Sequence, residues 1–227
     1  MQEIFDERKI IINAKRQTDY TLYEEICKII IDDVKDVTFI HNLHPKLGVN
    51  LNPQNNFFEE NFKAFEISKT KEGKFDYICA PLLLHKVNNL DLFLNNIKAR
   101  LNSNGIFCGN FFGLGNLQEL GTLLAEEDIS ACGQPLQRLL PLIDIKTVGM
   151  ILQKNGFKNI AVSSIPLSFE FESLKQALHF LKENGESNCF KLREGSLLSG
   201  SLLKKILEKY QKNITLGFDV CFFSCLL

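Results

Sequence analysis

The histidines and cysteines are the residues of this chain whose types could do the most chemistry, and their spacing decides how far each reading goes. His41 and His44 stand close enough to share a metal ion, but no third ligand follows them, so they read as polar loop residues. His85 comes just after the apolar run Phe75–Ala80. An imidazole there could exchange a proton with a ligand lying at a strand end, which makes His85 the catalytic candidate. The alternative is a histidine packed at a strand end, since no carboxylate partner can be placed beside it. The seven cysteines (Cys27, Cys79, Cys108, Cys132, Cys189, Cys221, Cys225) are odd in number and form no Cys-x-x-Cys pair. No metal site is expected from them. They read as small core residues of a chain kept in a reducing, cytoplasmic compartment. Gly113 and Gly115 could cradle a phosphate at a helix start, or simply make a tight turn. No Ser-His-Asp or Cys-His order can be argued.

The elements that would position these residues follow from periodicity. Tyr23, Ile26, Ile30 and Val34 share one helical face, so a helix is expected over Thr21–Val34, ended by Lys35-Asp36. Val37–Leu43 is short, apolar and β-branched and reads as a strand. Lys63–Ser68 could be another short strand. Phe75–Ala80 is a buried strand. Asn88 or Asn89 caps a helix whose Leu90, Phe93, Leu94, Ile97 and Leu101 form one stripe, stopped by Asn104-Gly105. Ile106–Phe112 is the next strand and Asn116–Ser130 the next helix. A third helix runs from an Asp144 cap to Asn155, with Gly156 at its end. Asn159–Phe171 is a long strand whose Pro166 marks a bulge or an edge. Helices at Ser173–Asn184 and Leu197–Tyr210 precede a last strand, Ile214–Cys225. Strands alternating with helices predict an α/β fold with helices on both faces of the sheet.

Composition removes several classes of function. A net charge of -1 gives no basic surface for nucleic acid. The polar opening, Met1–Arg8, is no signal peptide, and Phe218–Leu227 is too short to span a bilayer, so no stable membrane insertion is expected. Length and the absence of a linker predict one domain over residues 1–227, with residues 1–36 as an N-terminal helical arm and 113–144 as a helical insert. Arg8, Lys9, Lys15 and Arg16 on that arm could meet an acidic partner; a solvated arm is the default.

Several stretches, in order, carry a resemblance. They are FDYICAPLLLHKVNNL (Phe75–Leu90), LNSNGIFCGNFFG (Leu101–Gly113), NLQEL (Asn116–Leu120), PLIDIKTVGMILQKNGF (Pro141–Phe157) and LKENGESNC (Leu181–Cys189). IFDERKIIINAKRQ (Ile4–Gln17) resembles the same family's opening. With these the chain resembles the class I S-adenosylmethionine-dependent methyltransferases. The similarity is greatest to the branch that holds malonyl-acyl-carrier-protein O-methyltransferase and a mitochondrial complex I assembly factor described as an arginine hydroxylase. The resemblance implies a Rossmann-like mixed sheet of seven strands, its last strand antiparallel, with the cofactor across the carboxyl ends of the first strands. Glu186-Ser187-Asn188 would help shape that cleft.

The cofactor loop departs from the pattern. After the expected first strand stands His41-Asn42-Leu43-His44-Pro45-Lys46-Leu47-Gly48, with one glycine and no acid where the family has a glycine-rich loop. The next run, Leu47–Leu51, offers Asn50 or Asn52 where the family places the carboxylate that binds the ribose. Only 75 − 40 = 35 positions separate Ile40 from Phe75, although two further strands and their crossovers belong there. The sheet is therefore expected to be shortened around strands 1–3. Asn42, Gly48, Asn50 and Ala80 are the remaining candidates for touching a cofactor. No bound cofactor is expected, or S-adenosylmethionine if the cleft still works. The resemblance then implies a protein-binding or assembly role, with a respiratory complex I subunit as client. The alternatives are an active carboxyl methyltransferase acting on an acyl-carrier substrate and a protein-arginine hydroxylase, the latter without an iron-binding triad in the sequence.

Overall fold

The computed structural model describes residues 4–52, 66–67, 73–140, 142–187, 189 and 200–227. Helix α1 (Glu7–Lys15) opens the chain and α2 (Thr21–Ile40) follows. Then come β1 (Leu47–Asn50), β2 (Glu66–Ile67), β3 (Phe75–Ala80), α3 (Leu90–Arg100) and β4 (Leu101–Phe112). The chain continues through α4 (Gln118–Cys132), α5 (Ile145–Lys154), β5 (Lys158–Phe171), α6 (Leu174–Glu183), α7 (Gly200–Lys209) and β6 (Ile214–Leu226). The six strands among the described residues are ordered β2-β1-β3-β4-β6-β5. Strands β2, β1, β3 and β4 run parallel, and β6 pairs antiparallel with β4 from Ile106↔Leu226 to Phe112↔Val220. This is the mixed, Rossmann-like sheet with an antiparallel last strand that the sequence predicted.

The main correction lies ahead of the sheet. The expected strand Val37–Leu43 is instead the last turns of α2, which runs to Ile40. Asn42 takes a left-handed conformation (φ 50) just past the helix. Its N–H donates to Phe39 O at 3.2 Å and the N–H of Leu43 donates to Thr38 O at 2.9 Å, so the paired bonds of a helix C-cap close the end. The apolar residues misled because their side chains do not pack: Phe39 is 87% and Ile40 71% exposed. The first strand is therefore Leu47–Asn50, which the sequence had placed second. It pairs in parallel with β2 on one side and β3 on the other. A smaller correction concerns α3, which ends at Arg100. Asn104 (φ 61), not Gly105, takes the left-handed position, inside an irregularity of the β3–β4 ladder. Of the remaining expectations, Lys63–Phe65, Ser68, Asn188 and Leu197–Ser199 lie outside the described residues.

The chain divides into two compact units. One unit comprises Tyr20–Leu114, Ile143–Ile165 and Val220–Leu227. Its strands β3 and β4 are buried along most of their length, as expected where helices cover both faces. On one face Ile78, Ala80, Phe107 and Phe223 pack with Leu94 and Ile97 of α3 and Val148 and Leu152 of α5. Asn89 caps α3 by accepting from Leu92 N, and Asp144 caps α5 by accepting from Lys146 N and Thr147 N. Helix α2 packs against β4, so its Tyr23 and Cys27 are fully buried, as are Tyr77 and Cys79 of β3.

The other unit comprises Met1–Asp19, Gly115–Leu142 and Pro166–Asp219. Its core is aromatic: the Phe169 ring lies 5.0 Å from Phe180 and 5.8 Å, edge-on, from Phe218. Pro166 sits on β5, the edge strand, where proline is tolerated. A buried ion pair secures α4, with the Arg138 guanidinium on both carboxylate oxygens of Asp128 at 2.8 and 2.6 Å.

Candidate functional site

Strand β1 is followed by a strand on one side and then, across it, by β3 on the other. The order reverses between β1 and β3, and in open α/β sheets the ligand crevice opens at the carboxyl ends of the strands at such a point. The residues at that edge are Asn50-Leu51-Asn52 after β1, Ala80-Pro81-Leu82 after β3, and Asn110–Phe112 at the end of β4.

Asn50 is 4% exposed and turned inward. Its Nδ2 donates to the Tyr23 hydroxyl at 3.0 Å, and its Oδ1 accepts from Asn52 N at 3.1 Å. The side chain is thus used as a local turn former and a strut to α2. Burial is the largest influence on Tyr23 and pushes its hydroxyl far above the ordinary tyrosine range, so it stays protonated. Asn52 reaches across the switch point: its Nδ2 donates to Pro81 O at 2.7 Å. Beneath that bridge Leu51 N donates to Cys79 O at 2.8 Å, extending the β1–β3 ladder one residue into the loops. The two loops that should diverge around a ligand are therefore laced together.

The loop after β3 is held as firmly. Leu82 is buried in a left-handed conformation (φ 47), and its N–H donates to Asn110 Oδ1 at 2.5 Å. A bulky residue there is strained, and the bond from β4 fixes it. Gly109 is needed beside it, because a Cβ at that position would stand 2.5 Å from Ala80 O.

The candidates from the sequence fall as follows. Asn50 and Ala80 are at the carboxyl edge, and Gly48 is one turn of the pleat earlier in β1, paired with Tyr77. His85 is nearby in chain terms, in a short 3-10 turn, Leu84–Lys86, fully buried with its ring 4.7 Å from Phe112. Asn42 belongs to the opposite, amino edge. There Leu43, His44, Pro45, Asp76 and Asn104 line a cavity of about 140 Å³, below the range of ordinary small-molecule sites. Gly115 is not a phosphate cradle: its N–H donates to Asp219 Oδ2 at 2.9 Å. Among the described residues no three His, Cys, Asp or Glu side chains are arranged to hold a metal ion. No described helix is long and apolar enough to cross a membrane. Six of the seven thiols are buried and Cys132 is exposed.

Sequence reasoning names Asn52 only as an alternative to Asn50 and Tyr23 only as part of a helical face, and it misses Pro81, Leu82 and Asn110. Asn52-Pro53 carried a signal, since Asn-Pro marks a turn; a buried asparagine on a strand carries none.

The sequence holds no glycine between Gly48 and Gly73, so the loop after β1 lacks the residues that let a backbone approach a ligand. The Asn52–Pro81 bond spans the switch point between β1 and β3.

No family model matches the chain. A Rickettsia prowazekii (strain Madrid E) protein that bears the name of a methyltransferase is 32% identical over 165 residues, 70% of this chain and 73% of that protein. The mitochondrial arginine-hydroxylase NDUFAF5 of Mus musculus is 27% identical over 180 residues, 79% of this chain and 50% of that protein. The chain thus spans half the length of that relative. Among solved structures, the plantazolicin methyltransferase BpumL in complex with SAH matches with a TM-score of 0.45 at 11% identity, covering 97% of this chain and 90% of that one.

Proposed function

The chain belongs to the class I S-adenosylmethionine-dependent methyltransferase family, and from that premise we propose that it has given up the cofactor and acts by binding another protein, as an assembly factor. The observation that carries this reading is the laced switch point, with Asn52 Nδ2 on Pro81 O and Asn50 turned onto Tyr23. Gly48, Asn50 and Ala80 are then remnants of a cofactor crevice, Asn42 stands outside it, and His85, sealed against Phe112, does no acid–base work. Residues 1–227 act as one methyltransferase-like domain in this reading, with 1–36 and 113–144 as additions available to a client. The family resemblance favours a respiratory complex I subunit as that client. Buried free thiols favour a reducing, cytoplasmic setting.

Thermal melting tests the reading. A ligand at 100 times its dissociation constant stabilises by about 2.7 kcal/mol, which is roughly 5–10 °C for a protein of this size. S-adenosylmethionine and S-adenosylhomocysteine are expected to leave the midpoint unmoved. A saturable rise would overturn the loss of the cofactor and favour an active methyltransferase, the reading that the name of the Rickettsia relative supports. Tagged protein should recover a complex I subunit or precursor from its own cells. Recovery of acyl carrier protein with methyl-ester formation would favour the enzyme instead.

A further inference from the structure

Helix α1 is mounted in an unusual way. A surface helix normally buries its apolar stripe and shows its polar side. None of the residues of α1 is buried. The attachment is polar: Asn13 Nδ2 donates to Ser187 O at 2.8 Å and, before the helix, Asp6 N donates to Cys189 O at 2.8 Å. After it Thr18 Oγ1 donates to Glu183 Oε1 at 3.2 Å, and Phe5 supplies a buried anchor at 4% exposure. Held by that side, the helix shows Ile11 at 55% and Ile12 at 43% exposure, with Ile4 at 42% just ahead of it.

The exposed face is also basic. Arg8, Ile11, Ile12 and Lys15 follow the i, i+3, i+4, i+7 spacing of one helical face, and Arg16 adjoins it; all are exposed. Glu7 is the only acid within the helix, and the carboxylate of Asp6 is engaged in capping Arg8 N and Lys9 N. The cations are interleaved with the isoleucines. A protein groove taking the isoleucines would have to bury Lys15 with them, and interfaces are depleted of lysine. A bilayer interface accepts the same pattern readily. Apolar side chains enter the acyl boundary while long basic side chains reach back to anionic headgroups.

We propose that α1 is an interfacial anchor that docks this protein on anionic lipid surfaces through Ile11 and Ile12, with Arg8, Lys15 and Arg16 on the headgroups. Docking through α1 is independent of whether the carboxyl-edge crevice binds a cofactor. The helix does not enter the bilayer core, so the association is peripheral and reversible.

Flotation with vesicles tests this on the full chain. Protein should rise with vesicles of equal parts phosphatidylglycerol and phosphatidylcholine, not with pure phosphatidylcholine, and raised salt should weaken the association. Each cation near the surface is worth about fivefold in partitioning, so Arg8→Gln/Lys15→Gln/Arg16→Gln should lose on the order of a hundredfold. Ile11→Ser/Ile12→Ser should abolish flotation, and Ile11→Leu/Ile12→Leu should keep it. These side chains are exposed, so melting midpoints should stay at the wild-type value in every variant, which separates lost docking from lost folding. Absence of flotation with anionic vesicles, or equal flotation of wild type and the serine variant, overturns the proposal. Recovery of an acidic protein that depends on these residues, without vesicle binding, overturns it in favour of a protein partner.

Discussion

Replacing Gly109 by alanine tests how tightly the carboxyl edge is built. Gly109 pairs with Ala80 across β3 and β4, and an added Cβ would lie 2.5 Å from Ala80 O, 2.9 Å from Ala80 C and 3.1 Å from Phe223 Cζ. Phe223 can tilt, but the carbonyl cannot. Asn52 holds the neighbouring Pro81 O, and Asn110 holds Leu82 N. Relief therefore requires β3 and β4 to part at the edge that carries the site. Overpacking of this kind costs about 1–3 kcal/mol, or roughly 2–12 °C in midpoint for a protein of this size. Gly149→Ala is the control. That residue lies inside α5, where the nearest atom to a new Cβ is Val162 Cγ2 at 4.0 Å. Helix propensity alone should stabilise it by up to about 1 kcal/mol. The same substitution should thus move the midpoint in opposite directions at the two sites, read by fluorimetric melting and urea titration. A Gly109→Ala midpoint within error of wild type, or a shift of the same sign at both positions, would refute the reasoning.

Arg138→Ala strands the Asp128 carboxylate, whose side chain is 1% exposed, and should cost about 3 kcal/mol in urea titration. Asp128→Leu/Arg138→Met should recover most of that loss, and failure to recover would mean the pair contributes more than relief of a buried charge. Asp76 is partly buried, which raises its carboxyl, but bonds from Asn102 Nδ2, Lys46 N and Leu47 N outweigh this and hold it below the usual range. A depressed folded value stabilises above the unfolded value of about 3.9 and the contribution is lost as pH falls through the folded value. Asp76→Asn should therefore be less stable than wild type at neutral pH, with the gap closing below about pH 4 in an acid titration followed by circular dichroism. Asn89→Ala removes the bond from Leu92 N at 3.0 Å and should cost about 1 kcal/mol by the same urea assay.

The sheet was legible wherever burial and periodicity agree. Phe75–Ala80 and Ile106–Phe112 are apolar because both their faces are covered, and β6 is buried from Val220 through Leu226. The helix caps at Asn89, Asp144 and Ser173 could be read from residue type alone, since an oxygen-bearing side chain is needed there. Val37–Leu43 failed because hydrophobic patterning presumes that apolar residues pack, and Phe39 and Ile40 do not. That one error displaced the cofactor loop. The sequence puts His41–Gly48 after the first strand, whereas residues 41–46 precede that strand and Leu47 and Gly48 open it, and it puts Asn50 on a second strand although Asn50 closes the first. The bridge from Asn52 to Pro81 joins residues 29 apart and depends on the register of β1 against β3, which no local pattern encodes.

The register of β1 moves the candidate cofactor loop along the chain. With β1 at Leu47–Asn50, the loop begins at Leu51, and it is this stretch that lacks glycine up to Gly73. A fold built to bind a cofactor leaves its switch point open, and the ligand then satisfies the polar groups that line it. Here protein groups take part of that role, while Asn110 Nδ2 is buried without a hydrogen-bond partner among the described residues. Asn50 is satisfied by Tyr23 and by its own turn, Pro81 O by Asn52, and Leu82 N by Asn110. Each bond removes a partner that a ligand would have had to offer, and each buried group left unmade would cost about 1–3 kcal/mol. The stability of the unit rests elsewhere, in the aromatic packing of Phe107 with Phe157 and Phe223 and in the helices against them. A sheet supported in this way is held by the packing of its own side chains.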